Sequence, residues 1–241
     1  LGALALETEL RVARAATLNT DAFMAYERGR ADWARFDRDG FAASADAFHA
    51  AVDLDARFAD AYVGLAEAHA MQALFQTTPA PAAFEQAIAA ARQALALVPD
   101  EASALAVLAL AEFYAGADRA AAASLFEQAL SRDPGRALTH QWAAGYFSAT
   151  GQHARAMALV ARAHDLDPLS SSVNSDLCWY QFFSRDCTGA VRQAEHAFAA
   201  FQRPSVLLCG QLASWKAGDV ATEQDLRLRR LTASGGSAAA E

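Results

Sequence analysis

A short pattern recurs along the chain. It has alanine in most copies at its first position, an apolar residue four positions later, alanine three positions after that, and often proline five further on. Residues at i, i+4 and i+7 share one face of an α-helix, and small alanines let a neighbouring helix approach closely. The pattern therefore predicts repeated helices in close contact. Its copies are Ser44/Phe48/Ala51/Ala56, Ala87/Ala91/Ala94/Pro99, Ala122/Phe126/Ala129/Pro134, Ala156/Val160/Ala163/Pro168 and Ala190/Ala194/Ala197/Gln202.

The spacing of these copies indicates a two-helix repeat. Pro134 and Pro168 are 34 residues apart, the period of the tetratricopeptide repeat. The helix before each alanine run carries a degenerate form of the matching first-helix pattern, as in Tyr62, Leu65 and Ala66. The sequence thus predicts an all-α, tetratricopeptide-type right-handed superhelix, an α-solenoid of about five to six helical hairpins with essentially no strand.

The predicted boundaries follow the repeats. We expect a lead-in helix over residues 1–20, with Thr20 or Asp21 capping the next helix. The array should extend from 21 to 231, with a long turn at Gln76–Pro81 and a polar last helix that caps the solenoid. A flexible tail should follow at 232–241. The expected hairpins are 22–58, 59–101, 102–136, 137–170, 171–203 and 204–231.

Two stretches carry a more specific resemblance. Asp-Pro-Leu-Ser at 167–170 is followed by Asn174, Asp176, Leu177 and Trp179, and Thr-His-Gln-Trp occupies 139–142. In these stretches the chain resembles the tetratricopeptide extensions of bacterial signalling proteins, namely CadC-type winged-helix transcription regulators and some adenylate cyclases. The resemblance implies a regulatory or sensory module whose output domain lies elsewhere.

Charge argues against several classes of partner. The net charge is −8, which disfavours nucleic acid and anionic membranes unless a basic patch is present. The one candidate patch, Arg227, Arg229 and Arg230, is better explained as a solvated helix face. We expect no direct nucleic-acid binding, no membrane span, and a protein or peptide segment as partner, with a homo-oligomer possible.

The beginning of the chain bears on its origin and compartment. It starts at Leu1 with neither a methionine nor a signal-peptide pattern, so we expect a piece of a longer polypeptide. The predicted location is cytoplasmic, or periplasmic if the parent protein has an upstream membrane span.

Catalytic signatures are absent from the sequence. The six histidines form no H-E-x-x-H pair, and neither a P-loop nor a G-x-S-x-G motif occurs. We therefore predict no enzyme activity, no cofactor and no metal site, leaving a site assembled only in three dimensions as a remote alternative. A small-molecule sensor with its ligand near the Gln76–Pro81 turn is the second alternative.

The binding surface is predicted from helix register. Positions 4, 7, 8 and 11 of each first helix should pack inside the array. Positions 5, 9 and 12 each follow one of these by one residue, which is a rotation of about 100° around the helix axis. They should therefore line a groove. These positions include Val63, Glu67, Ser148 and Ser175. Large aromatics suggest a ligand that is apolar or anchored by an aromatic residue. Trp179, Phe182 and Phe183 could instead pack against the next hairpin. The predicted partner-binding residues are Leu110, Tyr114, Gln141, Trp179, Phe182 and Phe183.

Three cysteines, Cys178, Cys187 and Cys209, are too few for a disulfide framework or a zinc site. Cys178 and Cys187 could face each other across one hairpin and form a bridge. Buried or half-buried free thiols are the favoured alternative.

Overall fold

The computed structural model describes residues 17–75, 80–116 and 119–235. Within these residues the chain forms twelve α-helices, one short 3-10 turn and no strand, which confirms the predicted all-α class. The helices are α1 (Thr20–Trp33), α2 (Arg38–Leu54), α3 (Ala59–Leu74), α4 (Ala80–Leu97), α5 (Ala102–Ala115), α6 (Arg119–Arg132), α7 (Ala137–Ala149), α8 (His153–Leu166), α9 (Ser171–Phe183), α10 (Cys187–Phe201), α11 (Leu207–Ala217) and α12 (Val220–Ala233).

The helices fall into two compact units. Unit 1 ends at Pro134 and contains α1 to α6, whereas unit 2 begins at Gly135 and contains α7 to α12. In each unit, consecutive helices pair as hairpins, and each first helix also packs on the first helix of a neighbouring hairpin. Every alanine-run residue in the second helices is buried, as the close approach of neighbouring helices requires. These residues are Ser44, Phe48, Ala51, Ala87, Ala91, Ala94, Ala122, Phe126, Ala129, Ala156, Val160, Ala163, Ala190, Ala194 and Ala197.

The core of unit 1 has no room for a Cβ atom at two glycines. The ring of Phe48 lies against the backbone of Gly29 in α1 and of Gly64 in α3, and a Cβ atom at either glycine would lie 2.7 Å from that ring. Tyr26 also contacts the Phe48 ring at 5.6 Å between centroids. The two glycines therefore let α1 and α3 close around one buried aromatic.

The ends of the array differ from the prediction in detail. Asn19, rather than Thr20 or Asp21, caps α1, because its side-chain oxygen accepts hydrogen bonds from two backbone N–H groups of the first turn. At the other end α12 continues to Ala233, past the predicted start of the tail at 232. The lead-in segment 1–16 and the last residues, 236–241, lie outside the described residues.

Two connections between helices also differ from the prediction. The long turn after α3 is shorter than expected, because α4 already begins at Ala80 and takes Pro81 into its first turn, where a missing N–H costs no helical hydrogen bond. Residues 76–79 of that turn lie outside the described residues. At Gln202, where the repeat lacks its proline, α10 instead ends in a left-handed cap with φ of 53°.

Candidate interaction site on helix α9

Most of the predicted groove residues in unit 1 are buried, with Tyr114 as the exception. Val63, Glu67 and Leu110 are 9%, 7% and 4% exposed, so these side chains offer a partner little or no surface. The assignment of Leu110 to a binding groove is therefore wrong, because this leucine belongs to the core on α5. Tyr114 is exposed, and its ring stacks on Phe84 with centroids 5.5 Å apart.

In unit 2 three of the four aromatic residues of α9 lie together at the protein surface, whereas Tyr180 is buried. Trp179, Phe182 and Phe183, here called the aromatic patch, have ring centroids 5.6 to 6.1 Å apart. Phe183 is 46% exposed, whereas Trp179 and Phe182 are half-buried. The patch is thus accessible at its outer edge and anchored at its inner edge.

The anchoring comes from α10 and α11. Trp179 and Phe182 pack on a buried cluster built from small side chains and a disulfide, so the alternative that these aromatics contact the next hairpin holds for their inner surfaces. The Lys216 ammonium lies 4.6 Å from the Phe182 ring centroid, a cation–π distance. The cluster contains Cys178, Ala190, Ala194, Cys209 and Ala213.

The disulfide joins Cys178 to Cys209, with a Cα–Cα separation of 6.3 Å, and Cys187 is free. Both sequence-based alternatives, a Cys178–Cys187 bridge and three free thiols, are therefore wrong. The reason is where each cysteine lies along the axis of its helix. Cys178 lies five residues before the end of α9, about 7 Å along the axis at 1.5 Å per residue, whereas Cys187 starts α10 beside the turn.

A polar pair joins α9 to α7. The Gln141 side-chain N–H of α7 donates to Oδ2 of Asp176 at 2.8 Å, and the Ser172 hydroxyl donates to the other end of the same amide at 3.5 Å. Burial raises the pKa of the Asp176 carboxyl to about 6, while the hydrogen bond from Gln141 acts in the opposite direction. The carboxyl is therefore ionised at neutral pH in a poorly solvated position.

The Asp-Pro-Leu-Ser motif fixes where α9 begins. The Ser170 hydroxyl caps the helix by accepting from the Val173 N–H at 3.3 Å. The Asn174 side chain donates to the carbonyls of Pro168 and Ser170 at 3.0 and 2.9 Å. From α10, Gln193 donates to the Asn174 side chain at 2.9 Å. These bonds hold the register that puts Asp176 beside Gln141 of α7 and Trp179 against α10 and α11.

The C-terminal arginines are engaged within unit 2. Arg229 pairs with Glu195 and Asp225 at 3.3 and 3.2 Å, and Arg230 donates to Gln211 at 3.3 Å. The two acids neutralise the charge of Arg229, and Gln211 takes up a hydrogen bond of Arg230. Both contacts agree with the interpretation of these arginines as part of a solvated helix face.

The described part of the chain has neither a metal-binding cluster nor a membrane-spanning helix. In the ranges 17–75, 80–116 and 119–235, no group of three or more His, Cys, Asp or Glu side chains is placed to hold a metal ion. No helix in the same ranges combines the length and apolar character needed to cross a bilayer.

Solved structures provide the comparison. The chain is similar to a thermophilic tetratricopeptide protein, TTC0263 of Thermus thermophilus, with a TM-score of 0.62 and 17% identity over 88% of this chain and 98% of that one. The fold is a tetratricopeptide-repeat array. This confirms the predicted fold class, while the handedness of the superhelix stays a prediction.

Two further structures extend the comparison. PilW, a type IV pilus biogenesis factor, gives a TM-score of 0.69 at 15% identity over 91% of this chain and 96% of that one. The human IFIT1 dimer with m7Gppp-AAAA gives a TM-score of 0.74 at 16% identity. The match covers 87% of this chain and 50% of the IFIT1 chain, so this chain spans about half the length of IFIT1. No protein-family model and no curated protein matches the sequence. At these identities the similarity establishes the tetratricopeptide fold alone.

Register analysis identified some residues of the site and missed others. It placed Gln141 and the aromatic patch among the candidates, and all four are at least partly exposed in unit 2. It missed Asp176, which lies one position from a predicted groove residue. The signal in the sequence was an acid within the resembling stretch, directly before the half-buried framework residue Leu177.

Proposed function

We propose that the chain is a protein-interaction module that binds a segment of a partner protein through α9 of unit 2. The observation that carries the proposal is the aromatic patch, in which Phe183 is 46% exposed beside two half-buried rings. Large aromatics that combine rigid anchoring with exposed area dominate interface energetics. The neighbouring polar pair, Gln141 and Asp176, adds hydrogen-bonding groups at one end of this surface.

The parent protein is proposed to be a multidomain bacterial signalling or transcription-regulatory protein. The support is the resemblance of residues 139–142 and 167–179 to the tetratricopeptide extensions of such proteins. The stretch 167–179 also contains Ser170, which caps α9, and Asn174, a buried side chain whose hydrogen bonds fix the start of α9. Gln141, Asp176 and Trp179 thus belong both to the resembling stretches and to the proposed interaction site.

Nucleic acid is not the proposed partner, although IFIT1 is known with a capped RNA oligonucleotide. This chain has a net charge of −8. Two of the three clustered C-terminal arginines, Arg229 and Arg230, already contact side chains of unit 2. Electrostatic attraction to phosphates, which dominates nucleic-acid affinity, therefore has little to act through.

Selection of binding peptides tests the proposal. The full chain is used to select from a displayed library of random 12-residue peptides, and each selected peptide is measured against Phe183→Ala and Trp215→Ala. Trp215 is a matched control, because it is 72% exposed but lies on α11 outside the patch. We expect binding to fall at least about fivefold in Phe183→Ala, the range of an interface residue, and to persist in Trp215→Ala. Equal binding to Phe183→Ala and the unchanged chain would refute the proposal.

For the compartment, we propose the periplasm in place of the cytoplasm. The support is the Cys178–Cys209 bridge, because glutathione and thioredoxin keep most cytosolic thiols reduced. Alkylation of the parent protein in its host, under denaturing conditions and without reductant, should modify one of the three cysteines. Modification of all three would contradict this placement.

A further inference from the structure

Asp176 is held in a fixed orientation at the edge of the aromatic patch. One carboxylate oxygen accepts the Gln141 N–H at 2.8 Å. The Gln141 carbonyl oxygen in turn accepts the Ser172 hydroxyl at 3.5 Å, and Ser172 contacts the Ser170 hydroxyl at 3.0 Å. An ionised carboxylate can only accept hydrogen bonds, so Asp176 itself requires the Gln141 amide to present its N–H, and the amide oxygen is left to accept from Ser172.

The acid lacks a cationic partner. Among the described residues, no arginine, lysine or histidine forms an ion pair with Asp176, and the hydrogen bond from Gln141 is its one side-chain partner. The chain's single lysine, Lys216, lies over the Phe182 ring instead. A desolvated carboxylate without a counter-charge is unfavourable, and burial accordingly raises the Asp176 pKa to about 6. The Asp176 residue is nevertheless partly exposed, as are Gln141, Ser172 and Ser175 beside it, so this acid lies at the edge of the protein rather than in its core.

The acid and the aromatics share one stripe of α9. Asp176, Trp179 and Phe183 are at positions i, i+3 and i+7, and residues three or four apart on a helix have Cβ atoms about 5–6 Å apart. A long cationic side chain could therefore lay its apolar stem on the Trp179 ring and place its charged head at Asp176. Lysine and arginine both have such an apolar stem with a charged tip.

We propose that Asp176 recognises a lysine or arginine of the protein segment that binds the aromatic patch, with the stem of that residue packed on Trp179. This inference rests on the proposed function and adds the chemistry of the partner. The partner segment should carry a basic residue beside a large apolar one, complementary in charge to the carboxylate.

The test is a double-mutant cycle on the peptides selected above. Peptides that depend on Phe183 are synthesised with the basic residue intact and with norleucine in its place, and titrated against the unchanged chain and Asp176→Asn. Asparagine keeps an oxygen that accepts from Gln141 but carries no charge. Asp165→Asn, on α8, is the matched control, because it removes an exposed acid elsewhere in unit 2.

We expect selected peptides to be enriched in lysine or arginine. In the unchanged chain and in Asp165→Asn, norleucine should weaken binding about tenfold or more, as for a charge-assisted hydrogen bond. In Asp176→Asn, norleucine should make little difference. If norleucine costs the same in Asp176→Asn as in the unchanged chain, or costs nothing in either, the inference is wrong.

The outcomes separate this inference from the proposed function. Peptides that need Phe183 but show no dependence on charge leave the interaction module standing and overturn the role of Asp176. Absence of any peptide that depends on Phe183 overturns both. If lysine amide alone binds as tightly as the peptides, the site recognises a small cation, and the assignment of a protein segment is wrong.

Discussion

Helices α5 and α9 are both first helices of their hairpins, yet they contact their surroundings in different ways. In α5, nine of fourteen residues are buried, whereas α9 buries four of thirteen. The same contrast holds at equivalent register positions: Val63, Glu67 and Leu110 of unit 1 are buried, while Gln141, Ser148 and Trp179 of unit 2 are partly exposed. Register alone therefore does not determine which positions form a binding surface.

The difference follows from side-chain size. Helix α5 is built almost wholly from alanine, leucine and valine, and such small side chains let neighbouring helices close around it from several sides. Helix α9 carries serine, aspartate and four bulky aromatics, of which the neighbouring helices bury only Tyr180. Helix α5 thus has the properties of a core helix, whereas α9 leaves part of its aromatic surface exposed to solvent.

The largest expected effect is in the core of unit 1. Leu110→Ala should lower the free energy of unfolding by about 3–5 kcal/mol, because it leaves a cavity among buried alanines. Urea denaturation followed by circular dichroism measures this loss. Leu169→Ala is the control: this leucine is 82% exposed, and its removal should cost less than about 0.5 kcal/mol. Similar losses for the two variants would show that Leu110 is accessible after all.

Reduction should act on unit 2 alone. Breaking the Cys178–Cys209 bridge, which closes a loop between residues 31 apart, should destabilise this unit by about 2–4 kcal/mol. Amide hydrogen exchange with and without dithiothreitol should show faster exchange in α9 and α11. Exchange in α3 and α5 of unit 1 should not change, and equal acceleration there would contradict an effect confined to unit 2.

Trp179 should fall between a core residue and a surface residue. Its half-buried ring packs on the disulfide cluster, so Trp179→Ala should cost about 2 kcal/mol, less than the 3–5 kcal/mol typical of a fully buried aromatic. Phe183→Ala, which removes a more exposed ring, should cost under about 1 kcal/mol. Chemical denaturation of both variants checks the order, and a cost above about 3 kcal/mol for Trp179 would assign it to the core.

The smallest effect concerns pH. Because the folded-state pKa of Asp176, about 6, exceeds its ordinary value of 3.8, the folded state binds the proton more readily. The contribution of this group to stability therefore rises as the pH falls toward 4 and is lost as the pH rises through 6. Asp176→Asn should be more stable than the unchanged chain by about 1 kcal/mol at pH 7 and nearly equal at pH 4.

Thermal unfolding of the two proteins across this pH range measures the difference. Other ionisable groups lie on the helices packed against α9, but both proteins share them, so the comparison cancels their contributions. A difference that does not depend on pH would contradict the assigned pKa direction. The shared groups include His140, His153, His164, Asp165, Cys187, Arg192, Glu195, His196 and Lys216.

The fold could be predicted because its determinants are local and repeated. The alanine runs specify which face of each second helix is buried, and the spacing of Pro134 and Pro168 specifies the length of the unit. Each copy supports the others, so a degenerate position such as Gln202 does not disturb the assignment; a left-handed cap replaces the proline there.

The site was less predictable because it depends on contacts between distant residues. Cys178 meets Cys209 across two hairpins, a pairing that no spacing within one hairpin indicates. The burial of Asp176 depends on Gln141, 35 residues earlier. The error at Leu110 has the same origin, because rotation by one residue predicts direction but not whether a neighbouring helix covers that direction.

The bridge between α9 and α11 also determines how the chain responds to mechanical force. A pull applied to the two ends is transmitted through Cys178 and Cys209, so the segment 179–208 bears no load while the bond is intact. At about 3.3–3.6 Å per extended residue, roughly 100 Å of contour length is withheld from extension. Between two mechanically coupled domains, the oxidised chain would act as a shorter tether than the reduced one.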